Sequence, residues 1–142
     1  MTITFEVPGK PQGKARPRVV RNKYTGKAHG ITPEKTRHYE ELIRMCYMMA
    51  GGLPFGDGVQ IEMDIVAEFA IPKSYSKARV SEIVQNGLRP TCKPDVDNIQ
   101  KVVLDALNER AYRDDAQVVR ISCEKMYAGD GHGRVVVQIA EI

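Results

Sequence analysis

Polar and apolar residues alternate from Thr2 to Val7, placing Ile3, Phe5 and Val7 on one face until Pro8-Gly9 breaks the pattern. Such period-two alternation predicts a half-buried strand. The clearest strand signal is Val59 to Phe69, where Val59, Ile61, Met63, Ile65, Ala67 and Phe69 point one way and Gln60, Glu62 and Asp64 the other. Between residues 117 and 127, Val119, Ile121, Cys123 and Tyr127 share a face. The turn Gly129-Asp130-Gly131-His132-Gly133 then leads into Val135 to Ile139, and the two runs predict a terminal β-hairpin with a longer loop.

Elsewhere the apolar positions recur every three or four residues. Tyr39, Leu42, Ile43, Cys46 and Met49 do so after Thr32-Pro33, which predicts a helix with Thr32 as cap, Pro33 at its first position and Gly51-Gly52 at its end. A shorter helix is expected from the Ser76 cap to Asn86-Gly87. A third spans Asn98 to Glu109, with Asp97 as cap and Ile99, Val102, Val103, Ala106 and Leu107 inward. The order β, α, β, α, α, β, β predicts an α+β fold, helices packed on a mainly antiparallel or mixed sheet. With 142 residues the chain fits one domain, 1–142, with no internal repeat.

Composition changes this picture in one place. Pro8 to Pro33 is rich in Gly and Pro and holds Lys10, Lys14, Arg16, Arg18, Arg21, Lys23 and Lys27 without an acid, so a chain of net charge +3 is acidic everywhere else. A long loop of this kind suits a polyanion, with a solvated loop as the plain alternative. Tyr24 within it could stack on a base or simply pack in the loop. Cys46, Cys92 and Cys123 are odd in number and widely spaced, which predicts buried, reduced thiols instead of a zinc or redox pair. His29, His38 and His132 have no ligand spacing, and Met48-Met49 is read as core or dimer seam. No apolar run reaches membrane-helix length, and a soluble, cytoplasmic protein is expected.

The segment with most chemistry is KPDVDNIQKVVLDALNERAYRDD, residues 93–115. If Lys93 to Asp97 is extended, Asp95 and Asp97 leave the chain on the same side. Asp115 follows 18 residues after Asp97. Eleven helical residues carry the chain about 16 Å away, and the seven from Glu109 to Asp115 span roughly 23 Å if extended, enough to return. Clustered carboxylates repel unless a cation joins them, and oxygen-only ligands favour Mg²⁺ or Mn²⁺. Such an ion would polarise a phosphodiester and lower the pKa of its water. Lys101, one turn beyond Asp97, either serves the phosphate or makes an ordinary helix pair with Asp97.

The run PDVDNIQKVVLDALN followed by DDAQV resembles the central motif of RusA-type Holliday junction resolvases, found largely in phages and prophages. The opening VPGKPQGKARPR is similar to that family's amino-terminal region. By motif position the resemblance implies metal-binding catalytic roles for Asp95, Asp97 and Asp115 and a catalytic role for Lys101, with Lys93 beside the first Asp contacting phosphate. It also implies a homodimer, Mg²⁺ or Mn²⁺ dependence, and paired nicks across a four-way junction. The stretch between Asp105 and Asp114 is shorter than in the family's best-known form, which leaves Asp114 and Asp115 as alternatives for the third ligand. Two other readings use the same residues: a non-catalytic binder of branched DNA, and a related Mg²⁺ nuclease acting on other branches.

Overall fold

A computed structural model describes all 142 residues. Four strands form one sheet: β1 (Thr2–Pro8), β4 (Ile61–Phe69), β5 (Val118–Tyr127) and β6 (Arg134–Glu141), in the order β1-β6-β4-β5. β6 runs antiparallel to both β1 and β4, and β4 runs parallel to β5, so the fold is α+β with a mixed sheet. The expected terminal hairpin is corrected here: β5 and β6 are consecutive, yet β4 lies between them. The alternation of β4 explains its central place. Ile61, Met63, Ile65, Ala67 and Phe69 are all buried, and a strand apolar along its whole length on one face gains most with neighbours on both edges.

Helices α1 (Glu34–Met49) and α3 (Val96–Leu107) cover that apolar face, and α2 (Lys77–Asn86) stands off it with no buried residue. Ile99, Val102, Val103, Ala106 and Leu107 of α3 are buried as their spacing predicts. On α1 the buried set is Thr36, Tyr39, Glu40, Ile43 and Tyr47, while Met48 and Met49 are exposed, so the methionine pair is not core. The uncovered face of the sheet is polar, and register pairs its charges: Arg134 lies opposite Glu68 and bonds it at 2.8 Å.

Several boundaries move for local reasons. Pro33, not Thr32, is the N-cap of α1, with no side-chain hydrogen bond. Asp95, not Asp97, is the N-cap of α3, and its side chain also makes no capping bond. Ser76 does cap α2, accepting the Arg79 amide, and Gly87 ends it at φ 66°. The basic loop contains a hairpin that its sequence does not announce, β2 (Arg18–Arg21) with β3 (Ala28–Ile31), whose turn Asn22 organises by accepting the Tyr24 and Thr25 amides. Val119 is exposed although its spacing puts it inward, because a register shift at Ile61/Glu62 inserts one extra residue in β5. The cysteines are free, but Cys92 is exposed and the other two are half-buried.

Candidate active site and nucleic-acid interface

Parallel pairing of β4 with β5 forces the chain to cross back along the sheet, and α3 is the returning element. Its first turn therefore lies near the carboxyl ends of these strands, where the Lys125 ammonium donates to the Cys92 carbonyl and Arg89 pairs with Glu124 at 3.1 Å. Its last turn lies near their amino ends, where the Gln117 amide donates to Gly56 and Val59 carbonyls. The two ends of α3 carry different sets of acids.

At the amino end, Asp95 and Asp97 are exposed. Asp95 faces only Lys93, at 3.4 Å, on a side chain 85% exposed, a pair too solvated to neutralise it. Asp97 has no ion-pair partner, and Lys101, exposed one turn further, does not bond it; the ordinary helix pair is not formed. Acids in a first turn are favoured by the helix dipole, which tolerates this pair without a capping bond.

The basic loop is fastened to the same end. A Cβ on Gly13 would come within 2.9 Å of the Asn98 and Pro94 side chains, so only glycine allows the approach. The Lys14 amide donates to the Asn98 carbonyl at 3.1 Å, and the Ala15 amide to the buried Thr36 hydroxyl at 3.3 Å. Lys10 and Lys93 consequently line one cavity of about 400 Å³. Arg16, Arg18, Arg21, Lys23 and Lys27 are exposed along the loop and its hairpin, free to meet phosphate. Lys14 is not. Its ammonium lies between Glu40 at 3.1 Å and Asp105 at 3.2 Å, with only 15% of the side chain exposed.

At the carboxyl end, Asp105 and Asp115 are neighbours. Burial holds the Asp115 carboxyl above its ordinary pKa, and its hydrogen bond with Asp114 and the negative charges of Asp114 and Asp105 push the same way. Asp114 is occupied in a capping box: it accepts the Ala116 amide at 3.1 Å, and Gln117 accepts the Asp114 amide. Of the two alternatives for a third ligand, Asp115 alone is not used as a cap. Residues 108–114 do not run back toward Asp97 as an extended segment would, because the Arg110 and Ala111 amides fold onto the Leu107 carbonyl. The eight residues from Asp97 to Asp105 put about 12 Å of helix between the two groups of acids. Within one chain no three Asp, Glu, His or Cys side chains lie close enough to hold a metal ion.

Sequence spacing does not flag Asp105 or Glu40, because their partner, Lys14, is distant along the chain. It also passes over Lys35 and Arg37, which follow the basic loop on α1 and are exposed. The signal for them was present: both fall within one turn of the helix start next to seven other cations.

A helix terminus with unneutralised acids, set against a cationic loop on an α+β scaffold, defines a protein built to meet a polyanion with acidic chemistry at hand. The chain belongs to the RusA endodeoxyribonuclease family, whose model matches residues 8–140. An uncharacterized protein of Bacillus subtilis strain 168, YqaN, is 37% identical over 143 residues, 99% of this chain and 96% of that protein. No helix is long and apolar enough to cross a membrane.

Proposed function

We propose that the protein resolves Holliday junctions by paired symmetric nicks, dependent on Mg²⁺ with Mn²⁺ as substitute, in DNA recombination and repair. The observation that carries this reading is the close approach at Gly13, which sets the basic loop directly on the helix turn bearing Asp95 and Asp97. A protein that only held DNA would gain nothing from exposed acids beside its phosphate contacts, since they repel the ligand.

Asp95 and Asp97 fit the oxygen donor set of a hard divalent cation, with Asp115 as the third acid by motif position, although the three do not form a closed metal-binding cluster as they stand. Bound there, such an ion supplies Lewis-acid polarisation of the phosphodiester. The chain's own groups do the rest. Lys10 and Lys93 hold the phosphate beside the helix turn, and the unpaired Lys101 ammonium is free to donate to the scissile group as charge develops. Asp115 joins the catalytic set by motif position. A two-fold homodimer suits the substrate because each site meets one of two equivalent strands, and the exposed α2 is surface free for such association.

The test is incubation with labelled four-way, three-way and linear duplexes, with Mg²⁺ or with EDTA. Paired nicks in the four-way junction, dependent on the metal, are expected. Preferential cutting of the three-way substrate would replace the reading with that of a nuclease for other branches. Tight binding with no cutting in Mg²⁺ or Mn²⁺ would leave a non-catalytic binder of branched DNA.

A further inference from the structure

Three surface cavities meet where α1 begins. One of about 380 Å³ is lined by Arg18 and Arg37, one of about 520 Å³ by Gln12, Lys35 and Tyr39, and one of about 400 Å³ by Lys10, Lys35 and Lys93. Pro33, Glu34 and Lys35 are each shared between two of them, so together they form a single groove. It leads from the β2–β3 hairpin across the first turn of α1 to Pro94, the residue before Asp95.

Five cations line the groove, and Glu34, turned toward His38 at 3.7 Å, is its one acid. Lys10, Arg18, Lys35 and Arg37 have no carboxylate partner within 4 Å. So many unpaired cations in one depression repel one another, and that repulsion is relieved when an anion enters. The backbone acts in the same direction: α1 has 16 residues, no side chain caps its first amides, and its dipole adds positive potential there. Beneath this surface the Tyr39 hydroxyl, in a residue 4% exposed, is buried with its proton undonated.

We infer that this groove is the track for one DNA strand, with Lys35 and Arg37 holding the sugar-phosphate backbone on its way to the turn bearing Asp95 and Asp97. The inference rests on the junction-cutting function proposed above, and it assigns phosphate contacts to the first turn of α1, outside the basic loop. A track ending at Pro94 delivers consecutive phosphates past the acids in a fixed direction, which selects the strand to be cut.

Fluorescence anisotropy of a labelled four-way junction in EDTA, across a range of NaCl concentrations, tests it without any cutting. The double variant Lys35→Gln/Arg37→Gln is compared with Lys73→Gln/Arg110→Gln, which removes the same charge outside the groove and outside α2. Removing one cation that touches a phosphate lowers the slope of log affinity against log salt by about 0.7–0.9. The groove variant should thus fall by about 1.4–1.8 in slope, or roughly 25- to 60-fold in affinity at 0.1 M salt. The control pair should change neither, and both proteins should melt as the wild type does because the substituted side chains are exposed. A groove variant no weaker than the control overturns the track and leaves the junction-cutting function standing. A wild type that shows no salt-dependent junction binding overturns both, and the failure is then visible before any substitution.

Discussion

The two ends of α3 use the same residue type in opposite ways. At the amino end Asp95 and Asp97 are exposed and make no capping bond, and their one cationic contact is the solvated Lys93 ammonium, 3.4 Å from Asp95. At the carboxyl end Asp105 is tied to Lys14, which also holds Glu40, and Asp114 is tied to its own backbone. Charges that a fold needs for itself are compensated where they stand. Charges left uncompensated cost the fold little in water and are available to a ligand. In the proposed function the amino end meets the substrate, and the loop that brings it there is fastened to both ends, by the Lys14 amide on the Asn98 carbonyl and by the Lys14 ammonium on Asp105.

The strongest way to break this contrast is to neutralise the amino end. Asp95→Asn and Asp97→Asn should each reduce junction cutting on the order of a hundredfold or more, the scale of removing one electrostatic contribution to a transition state. Thermal melting should be unchanged, and junction binding retained or tightened because a negative charge is gone. Gel assays, melting curves and anisotropy read the three quantities. A variant that loses activity together with several degrees of melting temperature would show that its carboxylate is structural.

Lys14 offers the reverse case. Lys14→Met strands Glu40, whose side chain is 10% exposed, and should destabilise the fold by about 3 kcal/mol in urea titrations. Burial disfavours the Lys14 charge, but hydrogen bonds and charge from Glu40 and Asp105 outweigh it and raise the pKa above 10.5. A raised lysine pKa stabilises the native state fully below the unfolded value of 10.5 and less as pH climbs through the folded one. The gap between wild type and Lys14→Met should therefore be constant at neutral pH and close at strongly alkaline pH. The salt slope of junction binding should not change in Lys14→Met, whereas Lys10→Gln should lower it by about 0.7–0.9. A lowered slope in Lys14→Met would make it a phosphate contact after all.

How far the sequence reaches is clear from particular elements. The face of β4 and the inward stripe of α3 were legible because one element sets each period, and Ser76 and Gly87 were legible because a cap is a local bond. The insertion of β4 between β5 and β6 was not, since strand partners distant along the chain leave no periodic mark. That pairing decides the site. A parallel partner for β4 obliges α3 to span the sheet, and the three acids do not gather into one metal-binding cluster, which chain-length arithmetic alone permitted. The hairpin in the basic loop escaped for another reason: strands of four residues are too short for alternation to stand out.

The finest distinction is between Asp114 and Asp115, adjacent in sequence and unlike in role. Asp114→Ala removes the acceptor of the Ala116 amide and should lower the melting temperature slightly, with cutting preserved in proportion to folded protein. Asp115→Asn removes a carboxyl that burial and two acidic neighbours already disfavour as a charge, so the fold should be as stable or more so at neutral pH. Any fall in cutting by Asp115→Asn then reports on chemistry alone. If Asp114→Ala is the variant that abolishes cutting while its melting temperature holds, the assignments exchange, and the capping box is a resting arrangement that opens to free Asp114 for the site.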